Sequence, residues 1–181
     1  MIKISKLEIF NIFEWLAVGI VSIQMIIYGL AKPVQFDEIS SYTEPINAMK
    51  PMTLMWAFYS FSKTYAIIIG IFETMGAILF LIPRTRLFGG VILSCILINI
   101  ILQDYFFEVN VGALGNAVLF QLLILIVFFK HRDKIINSFR ALQCQFNYKI
   151  RLIYIPVAVL IIVGIEILLL IINNLLKYLH L

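Results

Sequence analysis

Five long apolar runs alternate with short polar stretches along the chain, at residues 10–30, 64–82, 87–103, 111–129 and 152–173. A helix that crosses the hydrocarbon core of a bilayer needs about 20 largely apolar residues, so the pattern predicts five transmembrane helices. The first run is too long for the core of a signal peptide. Lys32-Pro33 follows it, not a small-residue cleavage site, which predicts a retained helix. The third and fourth runs are separated only by residues 104–110 and read as a tight helical hairpin. The expected fold class is an all-α membrane protein: a four-helix transmembrane bundle plus one additional C-terminal transmembrane helix. Its parts are a four-helix domain over residues 1–129 with an outer loop at 31–63, a basic amphipathic segment at 130–151, and the fifth helix with a short tail at 152–181.

Two polar stretches carry their own patterns. The loop at 31–63 opens with Lys32-Pro33, holds Asp37, Glu38 and Glu44, and is broken again at Pro45 and Pro51. Within it residues 51–62, with Trp56, Phe58, Tyr59 and Phe61, are too few to cross a bilayer. They predict an aromatic belt or lid lying on the outer end of the bundle. Loops of this length commonly carry function. Between Lys130 and Arg151 the apolar residues Ile135, Ile136, Phe139, Leu142 and Phe146 recur at helical spacing. Six basic residues surround them, with only Asp133 in opposition. This is the pattern of a basic amphipathic helix in the headgroup layer. The plainer alternative is an ordinary basic connector with some helix.

Composition agrees with the periodicity. Hydrophobic residues make up 62% of the chain and charged residues 13%, with a mean hydropathy of +1.02. A soluble domain carries about 45–50% apolar and about 25% charged residues, so there is too little polar surface here for a water-soluble globule. The net charge of +4 sits in connecting segments, where anionic lipid headgroups, not nucleic acid, are the natural counterpart. Placing the N-terminus in the cytoplasm puts Lys3, Lys6, Arg84, Arg86, Lys130, Arg132, Lys134, Arg140, Lys149 and Arg151 inside. Only Lys32, Lys50, Lys63 and Lys177 then lie outside, as the positive-inside rule requires. The expected location is a bacterial inner (cytoplasmic) membrane, with the C-terminus periplasmic or external. Arg84, Arg86, Lys130, Arg132 and Lys134 are the expected cytoplasmic anchors or anionic-lipid contacts.

Ionisable groups inside a bilayer are costly and need a partner or a task. Glu73 falls near the middle of the second run. In its protonated form it can donate a hydrogen bond to a carbonyl or quinone oxygen, or take part in proton movement. The alternative is a hydrogen bond between helices. Gln24, Asn99 and Gln121 lie in the other apolar runs and can join Glu73 in one polar cluster, so these four are the candidate ligand-binding or proton-linked residues. Glu14, near the inner end of its run, is expected to reach the interface. Glu166 is left between a pairing within the bundle and a subunit contact. Ala66/Gly70, Gly90/Ser94 and Ala113/Ala117 supply small residues for close helix packing.

Intrinsic cofactors narrow by subtraction. His131 and His180 fall on opposite sides of the expected topology, which excludes a bis-His haem site within one chain. Cys95 and Cys144 form no paired framework. No metal-ligand spacing, phosphate loop or catalytic triad is present. Redox chemistry would therefore use a diffusing quinone or a cofactor carried by a partner.

Several stretches together resemble the DoxX-like family of small bacterial membrane proteins. They are Tyr28-Gly29-Leu30-Ala31-Lys32, the aromatic stretch from Trp56 through Tyr65, Gly70-Ile71-Phe72-Glu73, and Pro83-Arg84-Thr85-Arg86-Leu87-Phe88-Gly89. Asn99 followed by Phe107-Glu108-Val109-Asn110-Val111 is similar to the family's later signature, with Glu108 where the family usually has Asp. The resemblance covers residues 10–129. It implies a four-helix unit, with Glu73 and the Arg84/Arg86 pair at positions matching the family pattern. The family takes its name from a subunit of a thiosulfate:quinone oxidoreductase, and proteins of similar fold act as assembly chaperones. The expectation is an accessory subunit of a membrane redox complex that interacts with quinone and has no cofactor of its own. The alternatives are a non-catalytic scaffold or assembly chaperone and, less centrally, a transporter of a small solute or protons. A membrane protein partner or a homo-oligomer is expected beside the lipid.

Overall fold

A computed structural model describes residues 6–143 and 154–178. Among these residues there are seven helices and no strand: α1 (Lys6–Gln35), α2 (Pro51–Phe61), α3 (Lys63–Leu81), α4 (Arg86–Phe106), α5 (Val111–Lys130), α6 (Arg132–Leu142) and α7 (Tyr154–Tyr178). Five of them, α1, α3, α4, α5 and α7, are long and apolar enough to span a membrane. The chain is an all-α, multi-pass membrane protein. It divides into two compact units, residues 1–140 and 141–181. Lys3, Cys144, Phe146, Lys149, Arg151 and His180 lie outside the described residues, as does the second half of the expected amphipathic segment.

In the first unit, α1 packs on α3 and α5, α3 on α4, and α4 on α5, closing a four-helix bundle. Its core is a column of Ala17, Val18, Val21 and Met25 from α1, Ala77 and Phe80 from α3, Leu93 and Leu97 from α4, and Ala117, Phe120, Ile124 and Val127 from α5. Large apolar side chains such as Ile23, Ile71, Ile98 and Leu122 point outward instead. A bilayer explains that inversion, because lipid removes the penalty for outward apolar groups and leaves close packing to hold the helices together. The second unit contains α7, and Glu166 lies along that helix.

Local chemistry sets the helix ends. Pro51 sits in the first turn of α2, where its missing N–H is no loss. The Ser62 side chain accepts from Tyr65 N and starts α3 immediately afterwards. Asn110 caps α5 by accepting from Gly112 N at 2.7 Å. Between α4 and α5, Glu108 adopts φ 52, the left-handed region that side chains other than Gly, Asn and Asp rarely occupy. A bond from Val109 N to Asp104 O at 2.9 Å closes that turn.

The structure corrects one boundary. The first apolar run ends at Leu30, and Lys32-Pro33 reads as the opening of a loop, yet α1 continues to Gln35 with Pro33 inside it. Proline has no N–H to give the carbonyl four residues earlier, which here belongs to Gly29. That carbonyl lies against Gly70 of α3, so closely that a methyl group on Gly70 would collide with it and come within 2.8 Å of Lys32 Cγ. Close packing of two glycines thus holds the helix together through a residue that normally ends one, and Lys32 becomes part of the bundle.

These contacts predict opposite outcomes for two substitutions. Gly70→Ala should lose roughly 1–3 kcal/mol of stability through overpacking. Gly115→Ala on α5, where nothing lies within 4 Å, should be neutral or stabilising by up to about 1 kcal/mol. Thermal unfolding in mild detergent measures both, and equal shifts for the two would contradict the packing described.

Candidate functional site

At the end of the bundle that carries Lys32 and Asp104, a cavity of about 740 Å³ opens between α1, α2, α3, α4 and α5. Its walls are largely aromatic and aliphatic. Phe36 stacks on Tyr59 at 4.8 Å and 12°, Tyr59 stacks on Tyr65 at 6.0 Å and 21°, and Trp56 meets Phe36 edge-on at 5.7 Å. The expected lid is α2, a full helix whose Met55 and Tyr59 pack with Phe36 and Ala66 in a second apolar cluster. Tyr59 OH donates to Gln103 Oε1 at 2.7 Å, tying α2 to α4.

The polar chemistry of this cavity centres on Glu73. It is fully buried, and neither of its carboxylate oxygens has a hydrogen-bond partner. Lys32 Nζ lies 3.5 Å from Oε1, an ion pair at the edge of hydrogen-bond distance. The ammonium also donates to Gln35 Oε1 at 3.1 Å and lies 5.9 Å from the centre of the Phe36 ring. Asp104, at the last turn of α4 and 8% exposed, interacts electrostatically with the same Lys32. Gly70 leaves the space through which the Lys32 stem passes.

Of the four residues expected to form one polar cluster, the cavity brings together Glu73 and Asn99. Gln121 is used elsewhere: its amide donates to Ser94 Oγ at 3.2 Å, linking α5 to α4. Gln24 is half-buried and is not among the lining residues. Lys32, Gln103 and Asp104 complete the site, and none of them stands out in the apolar pattern. A usable signal was present nonetheless, because a mid-membrane acid calls for a nearby base and Lys32 follows directly on the first span.

A second polar cluster occupies the other end of the bundle. Glu14 does not reach outward to the interface: it is 7% exposed and gathers three basic side chains. Its Oε1 accepts from Arg86 Nη1 at 2.5 Å and lies 3.0 Å from His131 Nε2, while Oε2 accepts from Lys130 Nζ at 2.5 Å. Lys130 also donates to Asn11 Oδ1, and Arg86 donates to Phe80 O and packs 4.3 Å from the centre of the Trp15 ring. Arg86 and Lys130 are therefore turned onto Glu14, joining α1, the start of α4 and the end of α5. Arg84 and Lys134 are exposed, as is Arg132, whose guanidinium lies 5.3 Å from the centre of the Phe129 ring. Among the described residues no cluster of His, Cys, Asp and Glu is arranged to hold a metal ion.

No family model matches the chain, and no solved structure matches it. Over 116 residues it is 39% identical to the uncharacterized protein YwoB of Bacillus subtilis (strain 168), a stretch that spans 63% of this chain and 73% of that protein. The chain belongs to the YwoB family. In this YwoB family member the two ends of the bundle differ in kind. Glu14 has a partner for each oxygen, as a structural tie does, whereas Glu73 faces a cavity with its oxygens free to accept.

Two measurements follow. Glu14→Gln leaves Arg86 and Lys130 without their counter-charge, and breaking a buried ion pair from one side costs about 3–5 kcal/mol. A clear fall in the unfolding temperature is expected, whereas Arg84→Gln, at an exposed position, should stay within about 0.5 kcal/mol. At Tyr59, burial pushes the phenol above its usual 10.0, and Tyr65, Glu73 and Asp104 add to the shift. The folded state thus holds this proton more tightly than the unfolded state. The stabilisation is present at pH below the usual value and is lost as pH rises through the raised one. Titrating tyrosinate absorbance should show a smaller difference between the wild type and Tyr59→Phe at pH 10 than the half-ionised signal of an ordinary tyrosine.

Proposed function

We propose that this protein is a DoxX-like accessory subunit of a membrane redox complex, and that its cavity receives the head group of a membrane-diffusing quinone. The observation that carries the reading is the cavity itself. It offers about 740 Å³, within the range of roughly 300–1,000 Å³ typical of small-molecule sites. The stacked rings of Phe36, Tyr59 and Tyr65 provide flat surfaces for a planar ring. The Lys32 ammonium and the Tyr65 hydroxyl are donors for the carbonyl oxygens of a quinone, and Glu73 holds Lys32 in place. A bound quinone would supply the electron-carrying chemistry. The residues of the chain would orient it and exclude water.

The placement of basic residues supports a bacterial inner-membrane location with the N-terminus in the cytoplasm. The Glu14 cluster would then lie at the cytoplasmic face and the cavity at the outer half of the bilayer. A scaffold or assembly role is favoured by a different observation. Ile136, Phe139 and Leu142 of α6 are exposed beside Arg132, Lys134 and Arg140, a surface suited to a partner or to anionic lipid.

The chain has two tryptophans, so Trp15→Phe leaves Trp56 as a single reporter in the cavity wall. In lipid nanodiscs, menadione should quench its fluorescence saturably. Lys32→Met in the same background should weaken binding about tenfold or more, as expected for the loss of one charge-assisted hydrogen bond. Unsaturable quenching, or the same affinity without Lys32, would exclude the quinone reading. Pull-down from native membranes in mild detergent should recover an oxidoreductase subunit, and recovery of envelope or receptor proteins alone would favour the scaffold.

A further inference from the structure

The cavity holds more negative charge than it balances. Glu73 on α3 and Asp104 on α4 line it, and the one cation on its wall is Lys32 on α1, 3.5 Å from Glu73. The other titratable groups along its wall are Tyr28 on α1, Tyr59 on α2, Tyr65 on α3 and Cys95 on α4, whose protonated forms carry no charge. The lining residues of α5 are Ala113, Ala117 and Phe120, with Val109 and Asn110 just before it, and none has a titratable side chain. With both carboxylates ionised, the walls carry one surplus negative charge. Water filling the open cavity can reach Asp104, which is 8% exposed, whereas Glu73 is fully buried. A neutral ring that fills the space displaces the water and leaves the charge facing an apolar, aromatic surface, which is strongly unfavourable.

We propose that the cavity binds its ligand together with one proton, which is held by one of the two carboxylates on its wall, Glu73 or Asp104. The inference rests on the quinone reading for the nature of the ligand and on the charge balance of Lys32, Glu73 and Asp104 for the coupling. Glu73 is the nearer of the two to Lys32 in hydrogen-bonding terms, at 3.5 Å, and its two oxygens have no other partner. A proton on either carboxylate leaves one ammonium against one carboxylate and a neutral wall. The protonated acid also becomes a hydrogen-bond donor toward the ligand. No electron transfer is involved in this step: one proton moves from solution to a carboxylate as the ligand enters. In the proposed topology the proton comes from the outer side.

Linkage makes the coupling measurable, because the pH dependence of an affinity reports the protons taken up on binding. Menadione affinity should be measured by Trp56 quenching in nanodiscs of uncharged lipid from about pH 5 to about pH 9, around the ordinary range of carboxylates and above. The expected affinity falls with rising pH and approaches a tenfold loss per pH unit, the limit for one proton. Asp104→Asn removes the surplus charge and should flatten the dependence. Proton uptake can also be read directly on the wild type with an indicator dye in weakly buffered solution, with close to one proton per menadione bound at the alkaline end. Saturable binding without pH dependence would overturn the coupling and leave the quinone reading standing. A full slope retained in Asp104→Asn, or no proton uptake alongside binding, would likewise overturn it. Absence of saturable menadione binding at every pH would overturn both.

Discussion

The close crossing of α1 and α3 at Gly29 and Gly70 is the constraint on which the rest of the bundle depends. Neither position has room for a methyl group: at Gly70 it would collide with the Gly29 carbonyl, and at Gly29 it would meet Thr74 and the Gly70 carbonyl. In lipid, such close contact does the work that water-driven burial does in soluble proteins. It covers the carbonyl that Pro33 leaves without a helical donor, so α1 runs on for another turn. That added turn carries Lys32 to Glu73 and Phe36 to Tyr59. Without the crossing, the cavity would lose both its cation and part of its aromatic wall.

A similar arrangement recurs where α3 turns into α4. A methyl group on Gly89 would collide with the Phe80 backbone nitrogen and lie 2.6 Å from the Leu79 carbonyl carbon. Thr85 Oγ1 donates to Leu79 O at 2.8 Å. The tight turn carries Arg86 inward, where Glu14 receives it. The bundle is thus tied at one end by a saturated ion cluster, and at the other it buries a carboxylate whose oxygens have no hydrogen-bond partner. Buried charge is tolerated only where it is paired, and the completeness of the pairing separates the tie from the site.

Much of the architecture was legible because it is periodic. The five spans follow from runs of about 20 apolar residues, and observed ends such as Lys63–Leu81 and Val111–Lys130 lie within a residue of those read from the pattern. Glu73 was visible because a carboxylate in the middle of an apolar run has no local explanation. The aromatic stretch before α3 reads as a segment that does not cross, an aromatic belt or a lid, because it is too short. Lys32 was hidden behind Pro33, which marks a helix end in most contexts. Glu14 reads as an interfacial residue because its depth in the run is compatible with a side chain reaching outward, yet the fold buries it.

By itself, then, the sequence determined what depends on local composition: the membrane setting, the number and approximate ends of the helices, the polar positions within them, and the small residues that permit close packing. The tertiary structure decided which of these meet. Glu14 with Arg86 and Lys130, Lys32 with Glu73, and Tyr59 with Gln103 are pairs drawn from different helices. The physical reason is that periodicity records the surroundings of a position, polar or apolar, but not the identity of its neighbour on another helix. That identity depends on the order in which helices pack and on the depth at which they cross, which here is set by glycine contacts between residues far apart in the chain.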